Sequence, residues 1–285
     1  MEGILKRQNE MQMLKTQYVA RYYLNRARIL DCLSVVMLVL PVVLLLPIFK
    51  KIPIEADLLT LILDSVAIIL GILAKRAKEK GDCLRARFDS YVLQINCGDP
   101  QKMHGKNIDE VIYRIIRRFP KRFEKASERT GKDSPPGVRN WYEEKAVETE
   151  AGAILECQTQ NVWWTEKAKV FKDIMVVVWF LVAILAFWLT VAVSSLGVHK
   201  VFIAFLGVAV KLVERAIVYY KCSVLLNKIL GAKEIIEHNP TKEQVKELQR
   251  WISKWRMMPV TYSSFWHKVM GPIYTEIYRE THSGL

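Results

Sequence analysis

The chain has 285 residues, 25% of them charged, a formal charge of +13 and five cysteines, and length and charge content alone would suit one or two soluble domains. The charge is segregated: residues 32–49, 58–74, 174–193 and 196–210 hold almost none of it. That segregation excludes an ordinary soluble globule, and Cys32, Cys83, Cys97, Cys157 and Cys222 lack the paired spacing of a disulfide framework or a zinc site.

In chain order, the opening stretch "LKRQNEMQMLKTQYVARYYLNRARIL" has no Pro or Gly and puts Leu14, Val19, Tyr22, Tyr23 and Ile29 roughly on one side at helical spacing. It predicts an amphipathic helix over residues 1–31, lying on the inner face of a membrane. A first apolar hairpin follows over 32–74, made of Cys32–Phe49 and Leu58–Ala74, each close to the roughly 17-residue minimum for a crossing. Pro41 and Pro47 interrupt the first span, with a kink expected at Pro41.

Over 75–173 the pattern is cytoplasmic and helical. Leu84, Phe88 and Val92 recur at four-residue steps, so the second span continues as a helix, bent at Gly81, until "NCGDPQKMHGK" ends it. Asn107 with Glu110 opens a helix carrying Ile108, Val111, Ile112, Ile115, Ile116 and Phe119, and "GKDSPPG" is a loop. From about Val147 a helical pattern runs without a breaker into the third span.

The second hairpin, 174–218, pairs Ile174–Ser195 with a span from Leu196 that reaches Tyr220 only if Lys211, Glu214 and Arg215 are accommodated. The other reading ends that span near Val210, with Lys211 snorkelling to the headgroups. Residues 219–285 form cytoplasmic helices, one stopped by "HNP" and the next opened by a Thr241–Gln244 capping box. The fold class is an all-α integral membrane protein with four transmembrane helices in two hairpins and a helical cytoplasmic domain.

Lys and Arg number 6 in residues 1–31, 21 in 75–173 and 12 in 211–285, against 3 in the loops 50–57 and 194–200 together. By the positive-inside rule both termini are cytoplasmic. The same rule and attraction to anionic headgroups account for much of the +13, so direct binding of a nucleic-acid polymer is not expected. No secretory signal is apparent.

Asp64 is the conspicuous residue of the apolar stretches. At about 1.5 Å per residue it lies roughly 9 Å from Leu58 along a helix, inside the hydrocarbon, where a charged carboxylate costs roughly 2.5 to 3.5 kcal/mol. One reading makes it a pore-lining or gating acid, bridged to Lys211 in the closed state. The other makes it a protonated or hydrogen-bonded group holding two helices together, with Ser65 and Thr60 nearby. Lys211, Glu214 and Arg215 share one helix face and join Asp64 in the pore or gating set. His104, His199, His238, His267 and His282 are scattered, no nucleophile motif is visible, and neither catalysis nor a metal nor a cofactor is expected.

Taken together, the opening stretch, "FDSYVL" (Phe88, Asp89), "NWYEE" (Trp141, Tyr142), "CQTQNVWW" (Gln158, Asn161, Trp164) and the two-plus-two spans resemble the SMODS-associating 4TM effectors. Thr159 and Thr165 depart from the Arg and the acid expected of that pattern. The resemblance implies an effector of bacterial anti-phage defence, in CBASS-type systems, that senses a cyclic di- or oligonucleotide in the cytoplasm. It would then permeabilise the inner membrane as a homo-oligomer, causing cell death or growth arrest. Such a ligand needs guanidinium groups and aromatic faces, and the candidates are Arg85, Arg87, Arg114, Arg117, Arg118, Trp141 and Tyr142. Trp163 and Trp164 read equally as packing or as membrane-interface anchors. Two other functions stay open: a membrane-anchored scaffold that recruits a protein partner without conducting, and a constitutive channel or small transporter.

Overall fold

The computed structural model describes residues 1–44, 56–95, 102–103, 106–131, 133, 136–143, 147, 149–193, 198–259, 273, 277 and 280. Pro47, most of the first hairpin loop, residues 194–197 of the second, Cys97, His104, His267, His282 and the side chain of Thr165 lie outside them. The described chain is helical: α1 (Glu2–Gln8), α2 (Met11–Leu44), α3 (Ala56–Leu93), α4 (Ile108–Arg118), α5 (Pro120–Ser127), α6 (Glu150–Val193), α7 (Val198–Ile236) and α8 (Lys242–Arg256). One two-residue antiparallel pair, β1 (Lys102–Met103) with β2 (Lys106–Asn107), interrupts the series. The chain divides into two compact units, one of Met1–Arg26, Ala77–Glu166 and Cys222–Pro259, the other of Ala27–Arg76, Lys167–Lys221 and Val260–Leu285.

The first unit is built on ordinary helix chemistry. The Asn107 side chain accepts from the Asp109 N–H at 2.9 Å and caps α4, and Pro120 opens α5 at the position where its missing N–H costs nothing. Thr241 and Gln244 form both halves of the expected capping box on α8. The apolar stripe of α4, Ile108, Val111, Ile112 and Ile115, packs on Val19, Ala20 and Tyr23 of α2 and Leu84 of α3. A second cluster joins Leu14, Phe123 and Val138. The apolar side of the N-terminal stretch, expected to face lipid, is covered by α4 and α5 of the chain itself; Ile29, expected on the same side, is 61% exposed.

In the second unit the helices show a different surface. Leu58, Leu61, Ile62, Ile68, Ile69 and Ile72 of α3 and Val177, Trp179, Leu181, Leu185, Trp188 and Leu189 of α6 are exposed. Two helices, Met11–Leu44 and Leu58–Leu93, are long and apolar enough to cross a membrane, with mean hydropathy 2.2 each. Only 28% and 17% of their apolar windows are buried, which is the reverse of a soluble core helix. The described apolar part of α6, Val177–Val193, is shorter. Inside, small residues form the seam: Thr60, Ala67 and Ala74 of α3 are buried at seven-residue steps, as are Ala27 and Ser34 of α2. Ser34 Oγ donates to the Ala67 carbonyl at 2.9 Å, a bond available because small side chains let the backbones approach. Val42, Val201 and Phe205 make an apolar contact with Phe187 and Val191 of α6.

Gly81 marks a close approach within a continuous α3. A Cβ there would lie 2.6 Å from Leu24 Cγ of α2 and 3.2 Å from the Ala20 carbonyl oxygen. Gly81→Ala should therefore lower the melting temperature, since forcing α2 and α3 apart costs about 1–3 kcal/mol and exceeds the gain of up to about 1 kcal/mol in helix propensity. A thermal melt of the variant in detergent checks it; an unchanged or raised melting point would show that the two helices are not packed this closely.

Candidate functional site

The residues that carried the resemblance converge in the first unit. Asn140 holds a left-handed backbone, φ 50°, a conformation Asn tolerates through local hydrogen bonding. Its side-chain oxygen accepts from Asn9 Nδ2 at 2.7 Å and its N–H donates to Asn9 Oδ1 at 3.0 Å. The next amide pair is similar: the Tyr142 N–H donates to Gln8 Oε1 at 2.7 Å, and Gln8 Nε2 donates to the Tyr142 carbonyl at 3.2 Å. Two adjacent amides at the end of α1 thus fix the loop, Gln160 of α6 donates to the Trp141 carbonyl and accepts from the Glu143 N–H, and Tyr142 is turned inward to 1% exposure.

There its hydroxyl donates to Asp89 Oδ1 at 2.9 Å and accepts from Asn161 Nδ2 at 3.0 Å. Asp89, on α3, also accepts from Gln249 Nε2 of α8 at 3.0 Å and is paired with the Arg256 guanidinium. Gln158 Nε2 of α6 donates to Gln249 Oε1 at 3.1 Å and to the Val245 carbonyl at 2.7 Å. One buried carboxylate therefore gathers α3, α6, α8 and the 140–142 loop. A second pair lies one turn and more back on α3: Lys78 and Asp82 are bonded at i, i+4, and Lys78 Nζ donates to the Arg256 carbonyl at 2.5 Å. Trp255 Nε1 donates to the Cys222 carbonyl of α7 at 3.2 Å, so α8 is tied to α7 as well.

The electrostatics follow from burial. Desolvation, with Asp89 beside it, raises the Tyr142 hydroxyl well above its ordinary range, so it remains a donor. Burial opposes the charge of Arg256, but Asp89, Tyr142 and Asp82 favour it and the balance is upward. Burial also pushes Lys78 down and Asp82 up, each offset by the other. Burial first and Asp89 second raise the Cys157 thiol, which makes it inert.

The other candidate residues lie elsewhere. Arg87 is bonded to Asp109 at 2.9 Å, Arg114, Arg117 and Arg118 are exposed on α4, and the Arg21 guanidinium stacks over Trp141 at 5.3 Å. Arg85 lies beside Lys78 and Asp82. Trp163 and Trp164 touch edge to face, 5.2 Å between centroids. Tyr142 is the one member of the expected ligand set that is fully inside, so its ring is not available for stacking.

In the second unit Lys211 Nζ is bonded to Glu214 at 3.0 Å and Arg215 to Asp31 at 2.6 Å. The bridge from Asp64 to Lys211 is not formed: Asp64 Oδ1 lies 3.0 Å from where a Cβ on Gly207 would be, one turn before Lys211 on α7, buried and with no hydrogen-bond partner among the described residues. Lys211 lies instead near Gly71 and Ser34, its Nζ 3.9 Å from a Cβ position on Gly71.

The model of the SMODS-associating 4TM effector domain matches residues 2–207. The chain belongs to this family. No curated protein and no solved structure matches it. The 4TM effector match includes Gln8, Asp89, Tyr142, Gln158 and Asn161, whereas Gln249 and Arg256 come from α8 beyond it. Those two were missed in the sequence, where the available signal was Gln249 on the apolar face of α8 between Leu248 and Ile252. Asp31 was missed too, a lone acid at the edge of an apolar stretch.

Removing one partner of a buried pair strands the other charge, at about 3–5 kcal/mol. Asp89→Asn should thus destabilise the effector strongly in a chemical melt, and Asp89→Asn combined with Arg256→Met should recover much of the loss. Additive losses in the double variant would mean that the pair is not coupled.

Proposed function

We propose that this 4TM effector acts in the bacterial inner membrane, crossing it four times with both termini inside. A cyclic di- or oligonucleotide signal triggers it to open or assemble and permeabilise the bilayer. Family membership supports the membrane-effector part. The observation that carries the triggering part is the helix continuity: α2, α3, α6 and α7 each run unbroken from an apolar stretch into the unit where the Asp89 cluster binds helices together. A tilt imposed on α3 or α6 at the cluster is carried along the same rod into the apolar segment. A ligand drives it only by as much as it prefers the opened arrangement.

The centre of the cluster is a carboxylate already paired with Arg256, an environment that repels phosphate. The exposed guanidinium groups of Arg114, Arg117 and Arg118 are the better first contacts for an anionic signal. In this reading Asp64, which lies against Gly207 in the second unit, meets ions or holds the seam shut.

Dye release from liposomes of anionic lipid containing the purified protein checks this reading, with a panel of cyclic di- and trinucleotides added outside in turn. Release is expected with one nucleotide, little without any, and an altered rate in Asp64→Asn. Binding with no release would favour a non-conducting scaffold; equal release without nucleotide would favour a constitutive channel.

A further inference from the structure

α7 presents two apolar faces. One packs inside the second unit through Val201, Ala204 and Phe205, all buried. The other carries Ile203, Leu206, Val210, Val213, Ile217 and Tyr220, spaced alternately by three and four residues and between 49% and 71% exposed. Val224 keeps the spacing one step further. An apolar line at period 3.5 on one helix is the pattern of a helix–helix seam.

Lipid accounts for part of this face, but not for its length. On α3 the continuous run of exposed apolar side chains ends at Leu73, just before Lys75 and Arg76, with Tyr91 alone further on, and on α2 the run begins at Ile29, just after Arg28, with Met11 alone before it. The ion pair from Arg215 to Asp31 sets the same boundary on α7. Ile217, Tyr220 and Val224 lie past it, where the exposed residues beside them are Glu214 and Lys221. Before the boundary the exposed face of α7 is broad and includes Phe202 and Ala209; from Ile217 to Val224 the exposed apolar part is the single three-and-four line, with Ile235 exposed off it near the helix end. A face turned only to lipid would end with the hydrocarbon.

We infer that this line is the contact between copies of the chain, α7 against α7 in parallel. The occupant is a second copy because a parallel pair of identical lines matches at every step, as a two-fold interface requires. Two of the residues flanking the line, Ala209 and Ala216, are small enough to let two backbones approach there. Glu214 faces no like charge across such a pair, since the flank opposite it carries Ala209 and Ala216. At about half exposure each, the six side chains offer roughly 600 Å² per copy, so a pair covers on the order of 1,200 Å², where specific interfaces begin. The inference rests on the effector reading only in giving assembly a purpose; the contact itself is argued from α7.

The test is disulfide trapping of the full chain in native membranes, with Cys32, Cys83 and Cys97 replaced by Ser. Ile217→Cys and Tyr220→Cys should each yield covalent dimers on mild oxidation, and Val218→Cys, off the line, should not. Mass measurement in detergent supplies the second arm: Ile217→Glu with Tyr220→Glu, both at exposed positions, should leave a folded protein of smaller assembly size. Dimers at Val218 as abundant as at Ile217, or an unchanged assembly size in the double variant, would overturn the inference. Neither readout involves a nucleotide, so a failure of nucleotide-triggered dye release would leave these results standing, and the converse.

Discussion

A carboxylate on α3, removed from water, constrains the rest of the first unit. Asp89 has no solvent to stabilise its charge, so its neighbours must supply the hydrogen bonds and the countercharge: a tyrosine hydroxyl, a glutamine amide and a guanidinium. The hydroxyl comes from the 140–142 loop and the other two groups from α8, and both segments must be correctly placed for the charge to be tolerated. A buried charge with partners drawn from far along the chain selects one arrangement of helices more sharply than an apolar contact, which many packings satisfy nearly as well.

The two units rely on different chemistry. In the first unit specificity comes from amides and charges: Gln8 and Asn9 hold the 140–142 loop, Gln158 reaches α8, and Lys78 reaches the end of α8 through the Arg256 carbonyl. In the apolar unit, where water-driven burial between lipid-exposed helices is weak, small residues and a few polar bonds take over. Ser34 bonded to the Ala67 carbonyl, Gly207 beside Asp64, and the Asp31–Arg215 pair at the boundary are the fixed points there. α2, α3, α6 and α7 belong to both, which is why a change at the amide-rich end has a covalent route to the apolar end.

Much of the helical layout was legible in the sequence because period and caps are local. The Asn107 cap on α4, the Thr241 box on α8 and the continuation of α3 past Lys75 each follow from residues within one or two turns. The motif residues were legible as a set, and Asp89, Tyr142, Gln158 and Asn161 do meet. Their partners were not, because Gln249 and Arg256 are more than 150 residues from Asp89, and the one local signal, Gln249 on the apolar face of α8, does not say which group it meets. The N-terminal stretch shows the same limit: an apolar stripe states that something covers it, and not whether that is lipid or, as found for Val19 and Tyr23, α4. Which residues of α3 and α7 face each other cannot be read from spacing: Asp64 meets Gly207, and Lys211 lies by Gly71 and pairs with Glu214.

The claim that one buried cluster holds α8 to α3 is most directly tested by hydrogen exchange of the unaltered protein in detergent. Backbone amides from Val245 to Trp255 should exchange as slowly as those from Leu84 to Val92, because both helices open only when the Asp89 cluster is broken. Exchange in α8 at the pace of an exposed peptide, with α3 still protected, would contradict the account.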